Sequence, residues 1–282
     1  MPQPSLPPQP PAAQPSAPRP LRPRSPASAW SPTHPLAAAP THATTATARP
    51  LVPETMFGHW FLRTRVWEQH VLRVAIDDLQ NLVGAPLPAS PVILDAGCGQ
   101  GISLALLEAA FAPAMLIGID LHRPSLALAR SVAQRLRTPV QLLESDCARV
   151  ALPDASVDLV FCHQTLHHIV EQEATLAEFH RVLKPGGRLL LAESTDAYIC
   201  SWVIRLLFRH PMHVQRSAAG YLQMVRAAGF AFDDANVSYP YLWWSRAGDF
   251  GLLERWGIKQ PPPPGQRRET LVNVAAFKPP AS

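Results

Sequence analysis

From residue 57 onward, short apolar runs alternate with stretches whose apolar positions recur every three or four residues. Residues 92–94, 115–119, 140–143, 157–162 and 188–192 are too short for buried helices, and they predict strands. The intervening segments 102–111, 123–136 and 171–183 predict helices. In the last of these, Leu176, Phe179, Val182 and Leu183 share one face, while Glu171, Glu173, Glu178 and Arg181 share the other. Upstream, Leu72, Ala75, Ile76, Leu79 and Leu82 give residues 57–83 the same signature, as one helix or a helix pair stopped by Gly84 and Pro86. Later, Ser217 is placed to cap a helix that runs to Ala228 and ends at Gly229. Strands that alternate with helices bury both faces of a parallel sheet, so the pattern predicts an α/β architecture.

The first strand runs into the sequence PVILDAGCGQG at residues 91–101. Asp95 is followed by Gly97, Gly99 and Gly101 at alternate positions, then by the first predicted α/β helix. A strand that turns through glycines into a helix makes a ligand cradle, because the helix start offers unpaired N–H groups. A dinucleotide site would show G-x-G-x-x-G. This sequence has G-x-G-x-G with an acid two residues before it, which would repel a pyrophosphate and suits an α-amino group. That points away from NAD and toward S-adenosyl-L-methionine. Asp120 stands at the end of the second strand, nineteen residues past Gly101. An acid there can accept the hydroxyls of a ribose, a need that both cofactors share. Pro124 marks the first turn of the helix that follows.

The order of these elements resembles the class I S-adenosylmethionine-dependent methyltransferases. Residues 92–230 carry the likeness: the glycine turn, Asp120, Asp146 after the third strand, and RVLKPGGRLLLAE at residues 181–193. The resemblance implies a Rossmann-like, doubly wound, seven-stranded sheet, mostly parallel with an antiparallel last strand. Its sixth strand would lie near residues 231–239 and its seventh at 270–278, with an irregular insertion at 241–268. It also implies that Asp95, Gly97, Cys98, Gly99, Gly101, Asp120, Leu121, Asp146, Cys147 and His163 contact the cofactor. Asp146 would accept the adenine amino group, and the Cys147 N–H would meet a ring nitrogen. Lys184 to Gly187 would form a helix-to-strand turn. His163 and His167 are the candidate catalytic residues, His163 as the group to contact substrate or move a proton.

Composition divides the chain. Residues 1–55 hold half of the 32 prolines and a net charge of +3 out of +4 for the whole chain. They predict a disordered tail, without the apolar core of an export signal. Met56 follows, and natural translation could begin there. Residues 56–90 are expected to form a helical lid, and 91–282 the methyltransferase domain. Outside the tail the charge is nearly balanced, so no nucleic-acid partner is favoured. The Asn- or Asp-Pro-Pro-aromatic motif of base-methylating enzymes is also replaced by Cys162, His163, Gln164 and Thr165. Cys98, Cys147, Cys162 and Cys200 form no CxxC pair, which predicts reduced thiols and a cytoplasmic setting. His163 and His167 are spaced to share a helical face, but no third ligand is fixed nearby, so no metal is expected. No run is long enough to cross a bilayer. Residues 57–67 and 198–208, with Trp202, Trp243 and Trp244, are apolar enough to roof a small or lipid-like acceptor. The aromatics at 57–67 could equally be packing, and the 198–208 stretch could rest on a membrane surface. Alternatives to methylation at oxygen or carbon are a cofactor-binding regulator without catalysis and a nucleotide-dependent oxidoreductase.

Overall fold

The structure is a computed structural model that describes residues 55–84, 86–246, 250–263 and 266–280. The expected tail lies outside the described residues except for Thr55. Strands β1 (Val92–Ala96), β2 (Met115–Asp120), β3 (Val140–Glu144), β4 (Val157–His163), β5 (Leu183–Ser194), β6 (Val237–Ser238) and β7 (Leu271–Phe277) form one sheet. Their order is β3-β2-β1-β4-β5-β7-β6. The first five are parallel, and β7 runs antiparallel to both β5 and β6. The strand order reverses between β1 and β4, which opens a crevice at their C-terminal ends.

Side chains that alternate along the strands feed two cores. Ile93, Leu116, Leu159, Phe161 and Leu190 pack with Leu79 of α3 (Arg73–Leu82) and with Leu104 and Leu107 of α4 (Ile102–Phe111). Leu94, Ile117, Val160 and Leu191 pack on the other face with Leu176 and Phe179 of α6 (Gln172–Val182) and Tyr221 of α9 (Ala218–Ala227). The helix α5 (Arg123–Ala133) begins with Pro124 in its first turn, as the sequence predicts.

Four segments take a local form that the pattern alone does not give. Residues 57–83 are not one helix. Helices α1 (Met56–Phe61) and α2 (Arg65–Trp67) are separated where Thr64 caps α2. A π-helical turn, Glu68–Leu72, then leads into α3. Ile76 and Leu79 bury α3 in the core, so only the segment before it overhangs the crevice. The expected 184–187 turn survives as an excursion within β5. The pairing with β4 jumps from Val157–Leu183 to Leu159–Arg188, and Lys184 Nζ bonds Asp158 Oδ1 at 2.8 Å across the gap. β6 is two residues long rather than nine, because Asp233 and Asn236 form a capping box and turn Asp234–Asn236 into a 3₁₀ helix. Short side chains that bond to nearby backbone compete with strand pairing in this way. The 198–208 stretch is two short helices, α7 (Asp196–Ile199) and α8 (Trp202–Leu207). The described residues of the insertion include a 3₁₀ turn, Trp243–Ser245, and a short helix, α10 (Leu252–Arg255).

Candidate cofactor and acceptor site

The glycine turn is pinned to the neighbouring strand by its own backbone. The amides of Gly97 and Cys98 both donate to the Ile119 carbonyl, at 2.9 and 3.0 Å. Gly97 has φ +75°, and a Cβ there would stand 2.3 Å from Thr165 Cγ2. Glycine is therefore required for the loop after β1 to lie against the loop after β4. Gly99 differs: at φ +51°, a Cβ would meet nothing nearer than 4.0 Å. Its open side lies on the cavity, where a ligand can approach the backbone closely.

Three carboxylates stand at or just after the ends of β1, β2 and β3. Asp95 is 2% exposed and accepts the Ser103 hydroxyl. Burial pushes its carboxyl up to about 7; the Ser103 hydrogen bond opposes the shift and nearby Asp120 adds to it. Asp120 accepts the Gly99 amide at 2.9 Å and the His122 amide at 2.7 Å, and its remaining lone pairs are available to a ligand. Asp146 accepts the Ala148 amide at 2.9 Å. The neighbouring Cys147 amide donates to no protein group among the described residues. Leu121 is exposed at the rim. Asp95, Gly97, Cys98, Gly99, Asp120, Leu121, Asp146 and Cys147 thus line one side of the cavity, whereas Gly101, also expected to contact a cofactor, does not line it: it opens α4 at φ +82° and packs against Ala129. Burial pushes the thiols of Cys98, Cys147 and Cys162 up, toward the protonated form.

These carboxylates open into a cavity of about 490 Å³, within the range of small-ligand sites. Beyond the carboxylates its wall is aromatic and aliphatic, including Phe61, Trp67, Tyr198, Ile204, Phe208 and Trp244. Phe208 bridges the roof, its ring lying 5.6 Å from Phe57 and 5.9 Å from Phe61. The segment before α3 also reaches the glycine turn, where Arg63 Nε donates to Gln100 Oε1 at 3.0 Å. The insertion is fastened by Trp244 Nε1, which donates to the His70 carbonyl at 3.0 Å. Two of the tryptophans expected in the roof are elsewhere. Trp202 is 68% exposed and Trp243 51% exposed, because α8 turns Ile204 inward and leaves Trp202 on its outer side. No arginine or lysine lines the cavity among the described residues.

The two candidate histidines are held differently. His163 is buried between Phe161 and Trp67, its ring 6.0 and 5.5 Å from theirs. Burial, with His167 nearby, pushes its imidazole down to about 3. It is neutral at physiological pH and a weak base. His167 lies on a 3₁₀ turn, Leu166–His168, with Nδ1 2.6 Å from Glu193 Oε2. Glu193 is wholly buried, and its Oε1 accepts the amides of Thr165 and Leu166 at 2.9 and 2.6 Å. The sequence places Glu193 at a strand end but says nothing of this pairing. Between the histidines, Gln164 takes a left-handed φ of +51°, a strained state that costs about 1–3 kcal/mol and that surrounding contacts must hold. His210, beyond α8, joins His167 and His168 in the wall.

The family model described as a methyltransferase domain matches residues 94–191. The chain is 33% identical over 187 residues to a demethylmenaquinone methyltransferase of Deinococcus radiodurans, covering 58% of this chain and 73% of that one. It is 31% identical over 189 residues to the O-methyltransferase cnsE of Penicillium expansum, covering 62% and 67% respectively. It spans about half or less of the length of several other curated relatives that it matches. An S-adenosylmethionine-dependent methyltransferase from Mesorhizobium loti shares the fold, with a TM-score of 0.52 at 18% identity over 72% of this chain and 96% of that one. The cradle fits the cofactor of these proteins: acids for an amino group and a ribose, and an unpaired buried amide beside Asp146. With the glycine turn, the strand order and these relatives in agreement, the chain belongs to the class I S-adenosylmethionine-dependent methyltransferases.

Proposed function

We propose that this protein transfers a methyl group from S-adenosylmethionine to a small, largely apolar acceptor, at oxygen or carbon. One observation carries the reading. One cavity joins a wall of carboxylates to a wall of aromatic and imidazole side chains, with no arginine or lysine in its lining among the described residues. A phosphate or carboxylate acceptor would meet no Arg or Lys side chain there, whereas a phenol or quinol would bury its ring against Phe61, Phe208 and Trp244. The likeness to a demethylmenaquinone methyltransferase supports a quinone-class acceptor, and the likeness to an O-methyltransferase supports transfer to oxygen.

The cofactor, when bound, supplies a methyl group on a positively charged sulfonium. Asp95 holds the amino group, Asp120 the ribose, and Asp146 with the Cys147 amide the adenine. With an ammonium beside it, Asp95 would be held as the carboxylate, its proton lost to solvent. Phe61, Trp67 and Phe208 exclude water and align the acceptor with the methyl group, which is the main demand of a direct transfer. The acceptor's polar atom faces His167 and His210. His163 supports this face as a neutral, packed ring.

The test is methyl transfer from labelled S-adenosylmethionine over a panel of phenols, quinols, fatty acids and phosphorylated compounds, with product identification. Phenols or quinols should be methylated best. A preference for anionic acceptors would overturn the acceptor class. Tight cofactor binding with no transfer to any member of the panel would favour a cofactor-binding regulator instead.

A further inference from the structure

His167, His168 and His210 come from two segments and converge on one point of the cavity wall. Each offers one ring nitrogen, and the three nitrogens all lie within 4.8 Å of one another. The ring centroids are 4.3 Å apart for His167–His168, 5.1 Å for His167–His210 and 4.7 Å for His168–His210. A neutral imidazole offers one lone pair, and three ring nitrogens gathered this closely can share one cation. We propose that these three residues form a binding site for one divalent transition-metal ion of the zinc class, with a fourth position open to the cavity.

The donor set suits that ion. Imidazole nitrogen is a common ligand for zinc, and three histidines with an open position are the arrangement of reactive rather than purely structural sites. The site also has its own support. Glu193 takes the Nδ1 of His167, which fixes an N–H there and leaves Nε2 as the lone pair. Glu193 is itself saturated by two backbone amides, so it orients a ligand and is not one. The two segments are stapled together by Gln215, whose Nε2 donates at 2.9 Å to the carbonyls of both His167 and Pro211. The ring nitrogens of His168 and His210 have no hydrogen-bond partner among the described residues. His168 is exposed and His210 half-buried, and their rings stack 4.7 Å apart. Tetrahedral zinc holds its nitrogens about 3.3 Å apart, so an ion would draw the three nitrogens closer than the 4.8 Å within which they lie. His163, the residue spaced to share a helical face with His167, is not part of the cluster.

The site's function rests on the reading above, although its existence does not. The loop after β4 and the segment after α8 place the ion on the acceptor side of the glycine turn. There its open position would take a hydroxyl or enol oxygen of the acceptor and favour loss of the proton, which passes to water. The oxygen then forms its bond to the methyl group as the sulfonium–methyl bond breaks, and a neutral thioether leaves.

The experiment uses the full chain without a polyhistidine tag, stripped by chelator and titrated with Co²⁺ while visible absorption is recorded. One equivalent should give the intense d–d bands of a tetrahedral site, and Zn²⁺ should displace it. His168→Ala and His210→Ala, tested singly, should each weaken binding at least about tenfold, and Glu193→Gln about 10–100-fold. Calorimetry with S-adenosylmethionine serves as the folding control for every variant and tests the cofactor reading separately. Absence of the d–d bands, or unchanged Co²⁺ binding in the folded His168→Ala/His210→Ala double variant, would overturn the proposal. Metal binding without methyl transfer would leave the site standing and count against the proposed activity.

Discussion

The two walls of the cavity are built by different means. The carboxylate wall is made at the ends of β1, β2 and β3, by loops a few residues long whose backbones bond to one another. The acceptor wall is assembled from α1, the turn before α3, α8 and the insertion, whose contacts are mostly between side chains far apart in sequence. Asp120 alone organises two amides of the first wall. In the second wall, Phe208 draws its neighbours from α1 at the other end of the domain. A wall made of backbone geometry tolerates little change, whereas a wall made of side chains can be refitted residue by residue. One half of the cavity is therefore suited to a fixed ligand and the other to a variable one.

If the two walls are separable, a change in one should leave the other's ligand alone. The largest effect is expected for Asp120→Ala, which removes a charge-assisted partner of the ribose and the anchor of the Gly99 amide. Cofactor affinity should drop by about 1–3 kcal/mol, measured by calorimetry. An unchanged affinity would break the assignment of the first wall.

Next comes pH. The Asp95 carboxyl holds its proton up to about 7 in the ligand-free protein. Below that value the protonated acid offers an ammonium no charge. Cofactor affinity should rise with pH up to about 7 and level off above it, by at most about tenfold per unit below the midpoint. Calorimetry in buffers of different ionisation enthalpy should show a proton released on binding. Asp95→Asn should bind more weakly and with no such slope.

Phe208→Ala should be smaller and confined to the other wall. KM for an apolar acceptor is expected to rise several-fold while the cofactor Kd stays constant. A matching loss of cofactor affinity would mean that the two walls are not independent. The smallest effect is expected for Trp202→Ala. Its side chain is largely in water, so KM and thermal midpoint should move within about 0.5 kcal/mol.

The same division explains what could be read in advance. The alternation of strands and helices, the glycine turn and the acids of the first wall are local in sequence, because the constraints are local: a φ that only glycine takes easily, and an acid at a strand end. The second wall is legible only as a list of aromatic residues. Nothing in the periodicity of residues 198–208 says that Ile204 turns inward and Trp202 outward. The metal argument shows the same limit. His163 and His167 have the visible spacing, yet the partners that converge on His167 are its neighbour His168 and a residue beyond α8. A sixth strand at residues 231–239 is implied by the resemblance alone, and the capping box of Asp233 and Asn236 leaves only Val237 and Ser238 as strand, with Ala231 joined to Phe277 by an isolated bridge.

The π-helical turn at Glu68–Leu72 carries one residue more than an α-helix would need, with the Arg73 amide reaching back to the Glu68 carbonyl. Each residue of an α-helix advances the chain by about 100° and 1.5 Å. Deleting a single residue from this turn would let the helix rewind as continuous α, and everything upstream would be re-indexed by that angle. Trp67 would leave His163, and Phe61 would leave Phe208, with no lining side chain altered. The extra residue acts as a one-notch dial on the roof, so the shape of the acceptor wall can change by an insertion or deletion of one codon while the glycine turn below keeps its register.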